Sequence, residues 1–523
     1  MPANAHSINP SHRYVTTAIP YVNARPHIGF ALEVVQADVI ARSHRSAGAD
    51  TRFLAGTDEN SIKNVQAAEA AGLPVETLVE RNSDHFRALQ QGLNLSYDDF
   101  IRTSSDPRHA PGARKLWAAC FRSGDIYKRA YRGLYCNGCE QFYKAEELAD
   151  GKCPEHGTVP DFVEEENWFF RLSRYEETLR RLYERREIDV VPESRRNEVL
   201  AWIRGGLEDF SISRSAIRAR GWGIPVPNDP GQVIYVWFDA LANYITALGY
   251  GTDEALFRRF WLESDSREHV IGKGITRFHA IYWPAILLSA GIIPPTRIFV
   301  HGYVTVDGRK IGKSAGNAID PVPLAGELGT DALRYYLLRH IRPTGDGDFS
   351  HERFRQAHDS ELADQLGNLV HRALSMIDRY CGGIIPAPEG TDIRGDDLLH
   401  QAADLRKIVA GSIEAYTFDE ALDAVWSFVA STNRYVAEQQ PWALAKAEGS
   451  EPAIRLRNCL FNLEASLQAI ADCLSPLLPE TSEKLRYKLG GPLRGVEARE
   501  LAGLKVDRGG ALFPKGSISR NPG

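Results

Sequence analysis

Residues 14–33, YVTTAIPYVNARPHIGFALE, contain a change of periodicity that decides how this chain begins. Tyr14 to Ile19 alternate and are rich in β-branched residues, the pattern of a strand, and Pro20 ends the run. A polar turn with Pro26 follows. From there Ile28, Leu32, Val35 and Val39 recur at helical spacing until Gly48 stops them, and TRFLAG at 51–56 reads as a second strand. A strand, helix and strand of these lengths form a crossover, which predicts a parallel sheet of Rossmann type. At the junction stands His27. A helix start exposes free N–H groups and the positive end of the macrodipole, so His27, with Gly29 admitting a ligand to the backbone, can form a phosphate site; an ordinary helix cap is the alternative.

The rest of the chain enlarges this frame. At 523 residues, 43% hydrophobic and 25% charged, it is long enough for several folded units. Lys and Arg number 62 against 68 Asp and Glu, a net charge of −6, so the chain is not coated in positive charge, although a local basic face remains open to nucleic acid. No apolar run reaches the length of a membrane span and the N-terminus has no secretory apolar core, which predicts a cytoplasmic protein with no membrane partner.

Residues 1–125 are expected to form the first half of the Rossmann domain and 126–210, where the βα rhythm lapses, an inserted domain. The rhythm returns at QVIYVWFDALANYITAL and EHVIGKGITRFHAIYWPAILLSAG, each read as a buried strand feeding a helix, so 211–320 is assigned to the second half. Residues 321–355 are read as a linking stem, 356–488 as an α-helical bundle, and 489–523 as a loosely ordered C-terminal tail. No internal repeat is evident. A monomer is the expected state, because the chain ends soon after the bundle.

Seven cysteines are too few and too uneven for a disulfide framework, and three lie within residues 136–153. Cys136, Cys139, Cys153 and His156 form C-x2-C-x13-C-x2-H, two close ligand pairs of the kind one tetrahedral structural Zn2+ requires. Reduced cysteines in a loop are the plainer alternative. A second chemical signal is DGRKIGKSAGN at 307–317. Lys310 and Lys313 in a Gly-rich loop can neutralise a polyphosphate and stabilise a departing pyrophosphate, whereas a basic surface loop is the ordinary explanation of either lysine alone.

PHIGF after a first strand and KIGKS after a later one resemble the two signature motifs of class I aminoacyl-tRNA synthetases. TTAIPYVNARPHIG, GTDEN, YVWFDALANY, RFHAIYWPA and HGYVTVDGRK are similar to the methionyl members, and the resemblance spans about residues 14–485. It implies activation of methionine by ATP with Mg2+, then transfer to a methionine tRNA. His27, Lys310 and Lys313 would be catalytic, with Pro26, Gly29, Phe30 and Ser314 completing the ATP site. The implied methionine site is Ile19, Tyr21, Asp58, Trp237, Ala240, Tyr244, Ile275 and His279: an aromatic and aliphatic surround with one or two donors suits a polarisable thioether whose sulfur accepts weakly, Asp58 is the implied anchor of the ammonium, and the Ile19 N–H and Tyr244 hydroxyl are the implied sulfur partners. Asn368 and Arg372, at i and i+4 on one helix face, and Trp442 match the anticodon readers, which hydrogen-bond and stack unpaired bases. The zinc knuckle implied for the inserted domain is structural.

Two positions depart from the family pattern. Phe30 stands where a His is usual and offers apolar surface in place of a donor, and Gly312 replaces a Ser, adding backbone freedom that loop closure must remove. Two alternatives follow: a duplicate synthetase serving inhibitor resistance or supplying activated amino acid to a pathway, and a catalytically impaired tRNA-binding paralogue.

Overall fold

Tyr14, Val15, Thr16 and Thr17 are wholly or almost wholly buried, on both faces of their strand. That is the burial of a central parallel strand, and the computed structural model, which describes residues 11–136, 141–154, 157–311, 316–390, 392–491 and 498–515, places it so. Six strands, β1 (His12–Thr17), β2 (Asp50–Thr57), β3 (Asp99–Arg102), β4 (Asp189–Val191), β5 (Ser266–Gly272) and β6 (Arg297–His301), form one sheet in the order β3-β2-β1-β5-β6-β4. Every pairing is parallel, with Thr16 opposite Leu54 on one side and His269 on the other.

Two strand assignments made from the sequence are corrected. QVIYVW does not feed the parallel sheet: Asp229–Ile234 is the middle strand of a small antiparallel sheet with Ser213–Ser215 and Pro225–Val226. Conversely β4, inside the stretch read as an insertion, pairs with β6 at the edge of the parallel sheet. Three residues, DVV, are too few for alternation to register. The insertion itself is a four-stranded antiparallel sheet in which Ile126–Cys136 pairs with Gln141–Tyr143 and Asp161–Phe170, and the last of these with Phe210–Ser211.

The chain divides into two compact units. The first comprises residues up to Pro26, Gly48–Ala88 and Tyr97–His301, and so holds the parallel sheet, the insertion and the helix α2 (Val236–Thr246) that follows the small antiparallel sheet. The second comprises His27–Ala47, which is the helix α1 (Ile28–Ser46) with its cap, Leu89–Ser96 and everything from Gly302 onward. Its helices include α3 (Thr330–Arg339), α4 (Asn368–Cys381), α5 (Ile393–Glu414), α6 (Phe418–Gln439) and α7 (Ser450–Leu474). Stretches such as Leu369, Val370, Ala373, Leu374 and Ile377 turn one apolar stripe of α4 inward, as its spacing predicts.

The expected loose tail is also corrected for residues 498–515. Leu501, Val506, Leu512 and Phe513 are buried, Ile385 N–H donates to Leu504 O at 2.9 Å, and Val506 N–H donates to Gly383 O at 2.9 Å. Four apolar residues and added backbone pairing hold a segment whose Gly and Arg content suggested otherwise.

Candidate active site

His27 is the N-cap of α1, with extended backbone geometry (φ −127°, ψ 170°). Its Nδ1 accepts a hydrogen bond from Gly29 N–H at 3.1 Å, so the ring caps the helix and also carries its remaining N–H at Nε2. Burial lowers its pKa and favours this neutral form. A Cβ on Gly29 would lie 2.9 Å from the His27 ring, which explains why a glycine is needed here. Ile28 N–H donates to Ile319 O at 3.0 Å, tying the start of α1 to the segment after the lysine loop. That loop leaves a tight hairpin: Val304–Val306 pairs with Arg309–Lys310 across Asp307 and Gly308, both at positive φ. Lys310 is exposed, 5.8 Å from the Tyr303 ring centroid, and the Asn317 amide braces its carbonyl at 3.2 Å. Gly312, Lys313 and Ser314 lie outside the described residues.

In the first unit the residues expected to hold an amino acid form a connected set. Tyr21 and Asp58 bridge as neighbouring parallel residues, and Ile19 lies against Gly56. The Tyr21 ring is 6.3 Å from Trp237, which stacks on Phe278 at 3.7 Å and 5°. Phe278 was not anticipated; its position beside His279 in RFHAIYWPA is the signal. A π-helical turn, Phe278–Tyr282, carries both. The buried indole N–H of Trp237 has no hydrogen-bond partner among the described residues. Trp237, Ala240 and Tyr244 share one face of α2 by their spacing.

The polar end of this set has a defined proton arrangement. His279 Nδ1 lies 3.0 Å from the Ile275 carbonyl, which only accepts, so Nδ1 carries the proton and Nε2 accepts from the Tyr244 hydroxyl at 2.7 Å. Burial pushes the His279 pKa down to about 4. The Tyr244 hydroxyl proton is therefore spent on His279.

Asp58 and its neighbours are held from several sides. Asp58 N–H donates to Pro20 O at 2.9 Å. The buried Glu59 carboxylate accepts from Arg102 Nε at 2.6 Å, and from Ser83 and Ser104; Trp222 Nε1 donates to the Glu59 carbonyl at 2.7 Å. Trp222 also lines a cavity of about 390 Å³ with Asn60, Tyr135, Phe162, Arg214 and Arg218. Arg218 lies 4.1 Å over the Tyr135 ring and Arg214 4.0 Å over Tyr235. Sequence reading missed this cleft, because its residues come from five separated stretches.

Of the expected zinc ligands, Cys136 and Cys153 are buried in a cluster with Tyr143; Cys139 and His156 lie outside the described residues. In the helical bundle, Asn368 and Arg372 are exposed on α4, Arg372 donating to Asn433 Oδ1 on α6 at 2.5 Å, and Trp442, 44% exposed, begins the turn after α6.

A family described as tRNA synthetases class I (M) matches residues 13–159 and 138–374. The methionine–tRNA ligase of Mycobacterium bovis is 42% identical over 508 residues, 96% of this chain and 96% of that protein. The methionine–tRNA ligase of Clostridium tetani is 41% identical over 509 residues, 96% of this chain and 78% of its own. Among solved structures, Mycobacterium tuberculosis methionyl-tRNA synthetase in complex with methionyl-adenylate has a TM-score of 0.91 at 41% identity, covering 97% of this chain and 100% of that one.

Proposed function

Because the chain belongs to the methionine–tRNA ligase family of class I tRNA synthetases, we infer that it activates methionine with ATP and transfers the methionyl group to tRNA. A methionine carboxylate oxygen attacks the α-phosphorus of ATP, forming methionyl-adenylate and releasing pyrophosphate. A ribose hydroxyl at the tRNA 3′ end then attacks the carbonyl carbon, and AMP leaves. The substrate supplies the nucleophile in both steps, so the protein's contribution is positioning and charge stabilisation.

The residue roles are part of the proposal. Asp58 binds the ammonium, and Tyr21, Trp237, Phe278, Ala240, Tyr244, Ile275, His279 and Ile19 enclose the side chain. The Trp237 N–H is a ready donor for a ligand, whereas the Tyr244 hydroxyl faces the sulfur as a lone-pair neighbour, its proton being held by His279. His27 offers Nε2–H to the phosphates, and Lys310 and Lys313 neutralise the leaving pyrophosphate, with Pro26, Gly29, Phe30 and Ser314 completing the ATP site. Mg2+ accompanying ATP shields the same charge. Cys136, Cys139, Cys153 and His156 hold one structural Zn2+; the buried thiols of Cys136 and Cys153 suit it, since thiolate and imidazole ligands tie the hairpin together. The arginine- and aromatic-lined cleft at Trp222 takes the unpaired 3′ end of the tRNA, and Asn368, Arg372 and Trp442 read its anticodon.

The observation that carries this reading is the joined set from Asp58 through Tyr21, Trp237 and Phe278 to His279 and Tyr244, a carboxylate beside an aromatic enclosure. Methionine-dependent ATP–pyrophosphate exchange without tRNA tests it, with the other amino acids as controls. Exchange with methionine alone is expected; none with any amino acid from the folded protein would overturn it.

A further inference from the structure

Two residues beyond the proposed ammonium anchor, Asn60 crosses to the helix that carries much of the side-chain enclosure. Its Nδ2 donates to Asp239 Oδ2 at 2.7 Å, and its backbone N–H donates to Asp58 Oδ1 at 3.2 Å. Asp239 lies in the first turn of α2, two residues after Trp237 and immediately before Ala240. On its other side, Asp239 Oδ1 accepts from His109 Nε2 at 2.6 Å, and His109 Nδ1 reaches Thr246 Oγ1, at the far end of α2, at 2.8 Å. Asp239, His109 and Thr246 are completely buried. A carboxylate in such a place is expensive unless each oxygen is bonded, and apolar residues could fill the same volume. Its two bonds instead fix α2 against the Asp58 loop on one side and against the helix His109–Arg122 on the other.

We infer that Asn60, Asp239 and His109 are positioning residues that set the distance between the ammonium anchor and the side-chain enclosure, and so select amino acids by length. This rests on the assignment of Asp58 as anchor. The α-ammonium and the thioether are the two ends of the ligand, and the Asn60–Asp239 bond is a direct polar link between the elements that hold them. Loosening it costs methionine binding and lets a substrate one methylene longer compete.

The test is Asn60→Ala and Asn60→Asp, the second placing a carboxylate against Asp239, assayed by ATP–pyrophosphate exchange with methionine and with ethionine. Asn60→Ala is expected to raise the methionine KM about tenfold and to narrow the preference for methionine over ethionine about fivefold, with ATP KM and Tm unchanged. Asn60→Asp is expected to do more. An unchanged methionine KM and preference in Asn60→Ala, or wild-type behaviour of Asn60→Asp, would overturn the inference, as would losses that appear only with a fall in Tm. Asp58→Asn separates the two claims: if it leaves the methionine KM unchanged, the anchor assignment fails, whatever Asn60 does.

Discussion

His27 uses its ring twice, Nδ1 accepting the Gly29 N–H while Nε2 carries a proton that burial keeps on a neutral imidazole. The arrangement depends on Gly29, where an added Cβ would meet the ring at 2.9 Å. Gly29→Ala should therefore turn the donor aside and slow methionine activation about 100-fold, the scale of one lost transition-state donor, with little change in Tm. Equal rates in ATP–pyrophosphate exchange would show that His27 gives nothing to the reaction. Phe30 occupies the first turn of the same helix, and its side chain has no polar atom. Phe30→His is expected to raise the exchange rate about tenfold by restoring a donor; no change would mean that the surroundings are built for the Phe. His27 and Gly29 were legible in the sequence because a helix start imposes local chemistry. The cap bond was not, since it depends on the rotation of a single ring. The commitment of the Tyr244 proton to His279 was equally hidden, because the deciding acceptor is the Ile275 carbonyl.

Within the second unit α1 and α3 are joined by a buried ion pair, Arg334 Nη2 to Asp38 Oδ2 at 2.8 Å. Arg334 also donates to the carbonyls of Leu93 and Leu477. Although burial alone would raise the Asp38 pKa, Arg334, Arg42 and Ser96 hold it below the ordinary value. Arg334→Met leaves that carboxylate without its main partner and should cost about 3–5 kcal/mol in denaturant unfolding; a loss under 1 kcal/mol would show that Arg42 suffices. The opposite case is Glu464 on α7, completely buried with neither carboxyl oxygen hydrogen-bonded among the described residues. Burial raises its pKa well above 4.5, so folding favours the protonated form. Its contribution to stability is full below pH 4.5 and is lost as pH rises towards the folded pKa. Glu464→Leu should accordingly be more stable than wild type by about 1–3 kcal/mol at pH 8, with a smaller gain at pH 4.5. A wild type at least as stable at pH 8 would contradict this. At this scale α1 and β1 could be read from periodicity, whereas β4 and the buried part of the tail could not, because three residues or scattered apolar positions carry no period.

For the whole molecule the proposed roles separate activation from tRNA reading. Trp442, 44% exposed, offers a stacking face, and the proposed function gives it no part in adenylate chemistry. Trp442→Ala should weaken tRNA charging by about 1–3 kcal/mol of lost stacking while leaving pyrophosphate exchange unchanged; a parallel loss of both would refute the division. Local periodicity and short motifs of adjacent residues were enough to specify the parallel α/β sheet, the helical bundle and the family, and to name the candidates for the methionine and ATP sites. The tertiary structure decided which strands share a sheet, how the DVV strand and residues 229–234 are placed, and which distant groups meet. The Asn60–Asp239–His109 bracket, the Glu59 brace and the Trp222 cleft each join residues dozens to well over a hundred positions apart. Hydrogen bonds between such residues leave no spacing in a sequence, since their geometry exists only once separate elements have packed.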